Sequence, residues 1–344
     1  MSGTSLDGVD IAYCEFNSEN HWTFDLGYSE TIAYDEHWKK LLEELHLCSS
    51  EKISEVDFHY GRHLGKICKE FCLNHNLSPD FISSHGHTIF HQPHKGFTKQ
   101  IGSGAALSAS SGYPVVCDFR SKDVSLGGQG APLVPIGDRH LFSVFAFCLN
   151  LGGIANISYE EGIERKAFDI CACNLVLNYY SMKKGMSFDK DGKLAEKGMP
   201  DGELLKRLNA VSYYSKRFPK SLGREDVEKD LLPILEASQC SVEDKLATFC
   251  EHIAYQISDV IGKSGVTGKV LLTGGGAFNK FLAHRIALSC SREIVIPEKK
   301  IIEFKEAIIF AFIGVLRIRN EVNCLKSVTG ARTDNCGGAL YASK

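Results

Sequence analysis

The sequence has little proline and no marked excess of charge of either sign. It contains 9 Pro in 344 residues, and its 39 Lys and Arg nearly balance 42 Asp and Glu, giving a formal net charge of -3. No cationic block stands out, and gripping a nucleic-acid backbone or an anionic membrane would need one. We therefore expect neither partner. No Pro-rich linker, internal repeat or low-complexity tract marks a domain boundary.

Long hydrophobic runs are also missing. No apolar stretch approaches the roughly 18 residues of a membrane-spanning helix. The opening MSGTSLDGVD lacks the basic and apolar regions of a secretory signal, so we expect a cytoplasmic protein. Hydrophobic residues make up 44% and charged residues 24%. These are ordinary globular values, and the length predicts two domains.

Cysteine and histidine are the residues present in unusual patterns. The 13 Cys are odd in number, and spacings such as Cys68 with Cys72 match no paired zinc framework. We interpret them as reduced thiols that fill the core. Four histidines lie within one short stretch: His85, His87, His91 and His94. They could ligate a metal, but no second element offers further ligands, so we predict no metal site there.

The order of predicted elements indicates an α/β chain. VDIAYCEF alternates as a half-buried strand does, WTFDLGYSETIAY could pair with it antiparallel, and residues 35–77 have helical spacing. FAFCLNLGGIANISY, near residue 145, predicts two strands around a glycine turn and echoes this opening. We therefore place domains at residues 1–144 and 145–344, and leave open whether the last segment packs back on the first domain.

Later segments predict further helices and a strand that ends in polar residues. Helices are expected over residues 242–263 and 305–319, and KVLLTGGGAFNKFLAHRI predicts a strand, a glycine turn and a helix. YPVVCDF predicts a strand that delivers Asp118 and Arg120 to its carboxyl end. Sites of α/β proteins commonly form at such ends.

Three glycine-bearing turns follow or join strands: SGTSLDG at residues 2–8, NLGGIANIS at 150–158 and TGGGAFN at 273–279. Glycine lets amide N–H groups converge on phosphate oxygens, and hydroxyl groups in the first turn add donors. Each turn by itself is equally compatible with an ordinary tight turn. Neither GxxxxGK[ST] nor GxGxxG occurs, so a nucleotide would be held in another manner.

The arrangement of these turns resembles that of the actin, hexokinase and Hsp70 fold. With the surrounding blocks, the chain resembles the anhydro-N-acetylmuramic acid kinase family over essentially its whole length. The blocks occur in the order MSGTSLDGVD, SHGHTIFHQP, QIG, DFRSKDVSLGGQGAPLVP, NLGGIANIS, FDKDG, PKSLGRE, LLTGGGAFN, KEAIIFAF and SVTGA. The resemblance implies a two-domain α/β, actin/hexokinase-like (ribonuclease H-like) fold with its ATP cleft between the domains.

The resemblance also implies a reaction of peptidoglycan recycling. A kinase using ATP and Mg2+ would open the 1,6-anhydro ring of anhydro-N-acetylmuramic acid with water and phosphorylate the freed O6. The products would be N-acetylmuramic acid 6-phosphate and ADP. Two alternatives stay open: another sugar or acetate kinase of the same fold, and a nucleotide-binding regulator that has lost catalysis. Family members form homodimers, so the resemblance implies a homodimer here.

Site residues follow from the same resemblance. The phosphates of ATP would be held by the first turn: Ser2, Gly3, Thr4, Ser5, Leu6, Asp7, Gly8 and Val9. The second turn would add Gly152 and Gly153. The third turn would lie near the adenosine through Gly274, Gly275 and Gly276. The sugar pocket would be lined by Thr88, Arg120 and Asp123.

Ring opening needs a carboxylate that deprotonates the attacking water. Asp169 aligns with the aspartate of the family's catalytic motif and is the predicted catalytic base, with Asp123 as its rival. Glu306 resembles a family glutamate near the active site and is the second predicted catalytic residue. Simpler interpretations exist for all three: Asp169 as the N-cap of the following helix, Asp123 in a structural ion pair, and Glu306 at a helix N-terminus.

The sequence departs from the family pattern in three places. The Gly-Pro-Gly centre of the catalytic motif is replaced by Cys171-Ala172-Cys173, which removes easy positive φ angles and puts the placement of Asp169 in question. His87 stands where the family usually has Gln. Family members also carry an apolar strand before MSGTS. Without that strand its neighbours lose ladder bonds, so we expect an internal start or a truncated chain.

Overall fold

The computed structural model describes residues 1–3 and 6–343. The chain divides into two compact units, which we call unit 1 (Met1–Leu141 with Phe304–Lys344) and unit 2 (Phe142–Glu303). In this division the last segment belongs with the first unit. The predicted boundary between residues 144 and 145 stays a prediction. Within the described residues, no helix combines the length and apolar character needed to cross a membrane.

The first part of unit 1 begins with an antiparallel strand pair followed by helices. Its elements in chain order are β1 (Gly8–Asn17), β2 (Thr23–Ala33), α1 (Glu36–Glu44), α2 (Ser50–Asn74), β3 (Ile82–Ser83), β4 (His87–Gln92), β5 (Phe97–Ile101), α3 (Gly104–Ser111), β6 (Val115–Cys117), α4 (Ser121–Ser125) and α5 (Val134–Leu141). The predicted pairing of the first two strands is confirmed, with Val9 opposite Ile32. The helical stretch predicted at residues 35–77 forms α1 and α2.

Unit 2 is built on a five-stranded sheet. Its elements are β7 (Phe147–Leu151), β8 (Ile154–Glu161), β9 (Glu164–Ala172), α6 (Asn174–Met182), α7 (Gly202–Asn209), α8 (Arg224–Asp226), α9 (Leu232–Glu236), α10 (Val242–Ser264), β10 (Val270–Thr273), α11 (Lys280–Cys290) and β11 (Ile294–Val295). The strand order is β11-β10-β7-β8-β9, in which β7 to β9 are antiparallel neighbours and β10 and β11 run parallel to β7. This mixed sheet with packed helices confirms the predicted α/β class.

The chain returns to unit 1 along a long helix. The remaining elements are α12 (Lys299–Ile318), α13 (Lys326–Thr329) and β12 (Ala339–Tyr341). Strand β12 pairs with β6, which also pairs with β3, giving a second, three-stranded sheet in unit 1. Short 3-10 turns lie at Leu45–Leu47, Pro93–Lys95, Lys190–Gly192, Ala195–Lys197, Ser212–Ser215 and Gly275–Phe278, and a π turn lies at Val227–Leu231.

Amphipathic helices close the core of each unit. In unit 1, α2 begins at its N-cap Ser49 and buries one face, including Val56, Leu64 and Phe71, with apolar residues of β1 and α3. In unit 2, the central helix α10 is buried on all sides over residues 245–250 and along one face in its later turns. Most cysteines are buried or partly buried and only Cys48 is exposed, as expected for small core side chains.

The structure differs from the sequence predictions at a few elements. The run FISSHG forms only the two-residue β3, and the β4–β5 hairpin was not predicted. The helix predicted over residues 305–319 begins at Lys299. Glu306 is therefore in the helix interior, and the simpler interpretation that it sits at a helix N-terminus is wrong.

A groove of about 890 Å³ lies within unit 1 between the edges of β1 and β3. Apolar side chains of α2 and α12 line it, among them Leu64, Phe71 and Phe310. Met1 lies beside β1 at one end: its α-amino group donates to Asp10 O (2.7 Å), and Asp10 N donates to Met1 O (2.8 Å). A strand joined to Met1 in this direction would run antiparallel to β1 and satisfy both exposed edges.

We predict that filling this groove stabilises unit 1. An apolar extension of about six residues ahead of Met1, enough to run from Ile11 to Phe16 at the strand rise, should raise the melting temperature by about 4 °C or more. The measurement is calorimetric melting of the extended chain. An extension of equal length with proline at alternate positions is the control, because proline cannot donate to the ladder. If both extended chains have the same melting temperature as the unextended chain, the groove does not bind a strand.

Candidate functional site

The first glycine turn lies at the start of unit 1 and enters β1. Thr4 and Ser5, predicted to bind phosphate, lie outside the described residues. Asp7 is exposed, and Val9 places its side chain in the core. At Gly8 an added Cβ would come within 2.3 Å of Ile32 O. The pairing of β1 with β2 therefore requires glycine at this position, whatever ligand the turn binds.

Ser2 takes part in a buried hydrogen-bond chain. Its hydroxyl oxygen accepts from the Tyr34 hydroxyl (2.7 Å) and lies 2.9 Å from His87 Nδ1. Tyr60 continues the chain through a short hydrogen bond to Tyr34. Burial lowers the pKa of His87, so the neutral ring can accept the Ser2 proton. In this arrangement the Ser2 hydroxyl donates its proton to His87 and is not free to donate to phosphate.

Arg120 follows β6, as the sequence predicted, and is held by neutral groups. Its Nε donates to His85 Nε2 (2.9 Å) and its Nη1 donates to Gly130 O (2.5 Å). Its guanidinium carbon lies 5.9 Å from the centroid of the Phe310 ring. Glu306 is exposed one helical turn before Phe310 on α12. Arg120 and Glu306, both predicted site residues, thus lie next to the same turn of α12.

Thr88 and Asp123 have different surroundings. Thr88 lies partly buried on β4, and its hydroxyl accepts from Gln100 Nε2 at 3.4 Å. Asp123 has no exposed surface. Its carboxylate accepts from Gly130 N (2.8 Å), Thr329 Oγ1 (2.9 Å) and Asn335 Nδ2 (2.9 Å).

These partners of Asp123 are neutral, so they do not form the structural ion pair considered above. The buried carboxylate ties the loop around Gly130 to the segment 329–335. Its predicted contact with the sugar, and its rival role as base, stay predictions.

The four clustered histidines have separate surroundings. Besides His85 and His87, His91 lies on the exposed face of β4, 3.3 Å from Thr98 Oγ1 through its Nδ1, and His94 is exposed in the following turn. Among residues 1–3 and 6–343, no three His, Cys, Asp or Glu side chains are grouped so as to hold a metal ion.

In unit 2 the second and third glycine turns meet at the carboxyl ends of neighbouring strands. Strands β7 and β10 are parallel, so the turns that follow them lie at one edge of the sheet. Gly274 has a φ of 80°, and an added Cβ would lie 2.8 Å from the Leu151 backbone. An added Cβ on Gly276 would meet Leu151 Cβ at 2.6 Å, whereas on Gly275 it would meet nothing closer than 3.9 Å. There is therefore room for a ligand above Gly275.

Asn174, the last residue of the predicted catalytic motif, joins these turns. Its Nδ2 donates to Leu151 O (3.0 Å), and its backbone N–H donates to Gly152 O (3.1 Å). Gly153 O accepts from Cys173 N at 2.9 Å. The end of the catalytic motif is thus bonded directly to the second glycine turn. No sequence signal assigns Asn174 this role.

Asp169 lies in β9, at the edge of the sheet, and not at a helix N-cap. The N-cap of α6 is Cys173, so the simpler interpretation of Asp169 is wrong. Its Oδ2 accepts from Leu222 N (3.0 Å), and its backbone carbonyl accepts from the Tyr213 hydroxyl (2.7 Å). Burial raises the pKa of the Asp169 carboxyl, and the Leu222 hydrogen bond opposes this increase. The block PKSLGRE therefore supplies backbone that orients the predicted base.

The replaced centre of the motif forms the end of β9 and the junction with α6. Cys171 and Cys173 are completely buried, and burial raises the pKa of the Cys173 thiol to about 12. None of residues 169–174 has a positive φ; Cys173 has φ −136°. The chain makes this junction without the conformations that glycine favours.

Sequence comparisons identify relatives over the full length. The family model for anhydro-N-acetylmuramic acid kinase matches residues 1–343. The chain is 33% identical over 368 residues to the anhydro-N-acetylmuramic acid kinase of Sulfurimonas denitrificans, covering 99% of this chain and 98% of that one. It is also 33% identical over 370 residues to the enzyme of the same name from Shewanella frigidimarina, covering 99% and 97%.

Solved structures give weaker likenesses. The activator of the 2-hydroxyisocaproyl-CoA dehydratase from Clostridium difficile with bound ADPNP matches with a TM-score of 0.37 and 16% identity, covering 62% of this chain and 82% of that one. Component A of (R)-2-hydroxyglutaryl-CoA dehydratase from Acidaminococcus fermentans matches with a TM-score of 0.35 and 15% identity, covering 51% and 63%. Likeness at this level carries no argument about this chain.

The third glycine turn yields a stability prediction. Gly274→Ala forces a side chain into a left-handed conformation against the Leu151 backbone, which costs about 1 to 3 kcal/mol. The melting temperature should fall by about 2 °C or more. Gly275→Ala is the matched control in the same turn and should melt within about 1 °C of the wild type, because its Cβ meets open space. Equal melting of both variants in calorimetry would contradict this account of the turn.

Proposed function

Because the chain belongs to the anhydro-N-acetylmuramic acid kinase family, we propose that it is an ATP-dependent sugar kinase that acts on anhydro-N-acetylmuramic acid. It opens the 1,6-anhydro ring with water and transfers a phosphoryl group to O6, giving N-acetylmuramic acid 6-phosphate and ADP. The reaction belongs to peptidoglycan recycling in the cytoplasm. The observation that carries the hydrolytic step is the half-buried, backbone-held carboxylate of Asp169.

Asp169 is the proposed general base. Its carboxylate takes a proton from water while the water oxygen bonds to the anomeric carbon and the bond from that carbon to O6 breaks. O6 then attacks the terminal phosphorus of ATP, and ADP leaves. Burial favours this role, because a carboxyl with a raised pKa is a stronger base than an ordinary aspartate. Thr88, Arg120 and Asp123 are proposed to line the sugar pocket, with Glu306 close to the reacting groups.

The nucleotide is proposed to be bound by the glycine turns. In unit 1 the backbone of residues 2–9 holds phosphate oxygens. In unit 2, Gly152 and Gly153 hold phosphate, and the open space above Gly275, between the packed Gly274 and Gly276, suits the adenosine.

The oxygen chemistry of the first turn also suits Mg2+, because Asp7 is an exposed carboxylate and Mg2+ is bound through one or two carboxylates with substrate phosphates. When bound, Mg2+ would neutralise phosphate charge during transfer. We also propose a homodimer, which rests on the family resemblance and is tested by light scattering.

Asp169→Asn tests the mechanism. The amide keeps the size of the side chain but cannot take the proton, and a general base contributes roughly 10²- to 10⁴-fold. Ring opening and phosphoryl transfer should therefore fall together by about 10²-fold or more, measured with purified anhydro sugar and ATP. In ¹⁸O-labelled water, wild-type product should carry label at the anomeric oxygen and none in the phosphate. Retention of more than about a tenth of wild-type turnover would contradict the assignment and make Asp123 the base to test.

The stability of the same variant separates a catalytic role from a structural one. A raised carboxyl pKa means that the folded state binds protons more tightly than the unfolded state, so ionisation of Asp169 disfavours folding as pH rises through its folded pKa. At neutral pH Asp169→Asn should therefore melt at or above the wild-type temperature while losing activity. In the wild type, kcat/KM should fall with decreasing pH at a higher pH than an unperturbed aspartate would give. A large drop in melting temperature would instead indicate a structural role.

Asp7→Ala tests the metal assignment. Asp7 is exposed, so the variant should melt with the wild type but require a higher Mg2+ concentration for half-maximal activity and bind ATP more weakly in calorimetry. Removing a charged hydrogen bond typically costs about 1.5 to 3 kcal/mol, roughly tenfold or more in affinity. Glu30→Ala, which removes an exposed carboxylate on β2, is the control. An unchanged Mg2+ requirement and ATP affinity within twofold for Asp7→Ala would exclude this role.

A further inference from the structure

The supports of Arg120 are all uncharged. They are the ring nitrogen of His85, the carbonyl oxygen of Gly130 and the face of Phe310. In the part of the chain that the structure describes, no Asp or Glu oxygen lies within ion-pair distance of the guanidinium. Arg120 is partly buried, and Glu306 acts on its charge only through space, without a direct ion pair. Arginines removed from water are usually bonded directly to carboxylates, because an unpaired charge there is costly. The neutral groups bonded to Arg120 therefore need a reason.

The hydrogen bonds of His85 define its protonation. Its Nδ1 lies 3.1 Å from Gly86 O, and a carbonyl can only accept, so Nδ1 carries the proton. Its Nε2 faces Arg120 Nε, which can only donate, so Nε2 carries none. The ring is therefore neutral and acts as an acceptor. Burial, and next the charge of Arg120, lower the pKa of His85 to about 3, so the ring stays neutral near neutral pH.

Packing keeps both side chains in place. The Phe310 ring meets the His85 ring edge to face at 4.7 Å between centroids and also lies under Arg120. His85 is 7% exposed, which leaves little freedom to change rotamer. Only two of the five guanidinium N–H groups are used by His85 and Gly130. The remaining N–H groups can therefore bind a ligand while His85 and Phe310 fix the plane of the fork.

We propose that His85 is a positioning residue that holds Arg120 through a neutral nitrogen, so that the guanidinium, with no carboxylate bonded to it, serves an anionic oxygen of the reactants. A carboxylate at position 85 would hold the arginine equally well but would compensate its charge. The anionic oxygen belongs either to the carboxylate of the sugar acid or to the phosphoryl group in transfer. This inference rests on the proposed function and assigns His85 a role that the histidine cluster alone did not reveal.

Three substitutions at one position separate positioning from charge. His85→Gln keeps a neutral acceptor, His85→Glu supplies a charged one, and His85→Leu supplies none. We expect His85→Gln to retain kcat/KM within about threefold. We expect His85→Leu and His85→Glu to lose about tenfold or more in kcat/KM. His85→Leu would displace the guanidinium and His85→Glu would compensate its charge, and either change weakens a charge-assisted hydrogen bond to the ligand. His94→Leu, in the exposed turn after β4, is the control and should match the wild type.

The outcomes decide each part of the proposal. Wild-type turnover by His85→Leu, with Arg120→Leu impaired, would overturn the positioning role. Activity of His85→Glu equal to that of His85→Gln would overturn the requirement for an uncompensated charge. Melting temperatures are measured for all variants. A loss of activity in His85→Leu supports the positioning role only if His85→Gln retains activity and His85→Leu melts cooperatively at a temperature near that of the wild type. Loss of activity in both His85→Leu and His85→Gln would overturn the positioning role.

A second substrate identifies the anionic group. The same anhydro sugar without its lactyl ether lacks the carboxylate. If Arg120 binds that carboxylate, His85→Leu raises KM for the acidic sugar only; if Arg120 binds the phosphoryl group, kcat falls for both sugars. Absence of wild-type turnover with the acidic anhydro sugar would contradict the proposed function instead. The inference is then tested by calorimetric binding of pyrophosphate, which His85→Leu should weaken and His85→Gln should not.

Discussion

The close approach of β7 and β10 in unit 2 is the constraint on which the predicted nucleotide turns depend. Parallel pairing from Val270 with Phe147 to Thr273 with Asn150 brings both carboxyl ends to one edge. Beyond this edge the chain at Gly274 and Gly276 lies against Leu151, where no side chain fits. Glycine here serves sheet packing first. Among these three glycines, only Gly275 is open enough for a ligand to approach. Gly274 and Gly276 therefore serve packing, and Gly275 is the position left for binding.

In unit 1 a buried polar network holds the predicted site residues, whereas in unit 2 closely packed glycines do so. Asp123 accepts hydrogen bonds from Gly130, Thr329 and Asn335, which ties a loop and the C-terminal segment to one carboxylate. Gly130 in turn presents its carbonyl to Arg120. Each of these three hydrogen bonds stabilises the fold, because a buried carboxylate without hydrogen-bond partners is costly. Asp123 thus positions the carbonyl group that supports Arg120 without contacting the guanidinium.

The sequence predicted the elements whose signal is local and missed those set by distant contacts. Alternation identified β1 and β2, and α10 follows from its 3.6-residue period. The β4–β5 hairpin was missed because neither HTIFHQ nor FTKQI shows the apolar alternation of a half-buried strand. The start of α12 was placed six residues late because Lys299 and Lys300 look like a polar loop. Asp169 could be predicted from motif likeness, but its contacts with Tyr213 and Leu222 join residues more than forty positions apart, which no local pattern encodes.

Strand pairing and backbone hydrogen bonds hold the chain around the replaced motif centre. Strand β9 pairs Asp169 with Asn156, has an irregularity at Ile170, and continues through Cys171 and Ala172, which pair with Ala155 and Ile154 of β8. Cys173 N and Asn174 N then donate to the second glycine turn, and α6 begins immediately. Two buried thiols fill the space as small apolar groups. Strand pairing on one side and hydrogen bonds to the second glycine turn on the other therefore hold this part of the backbone, and none of its residues adopts a positive φ.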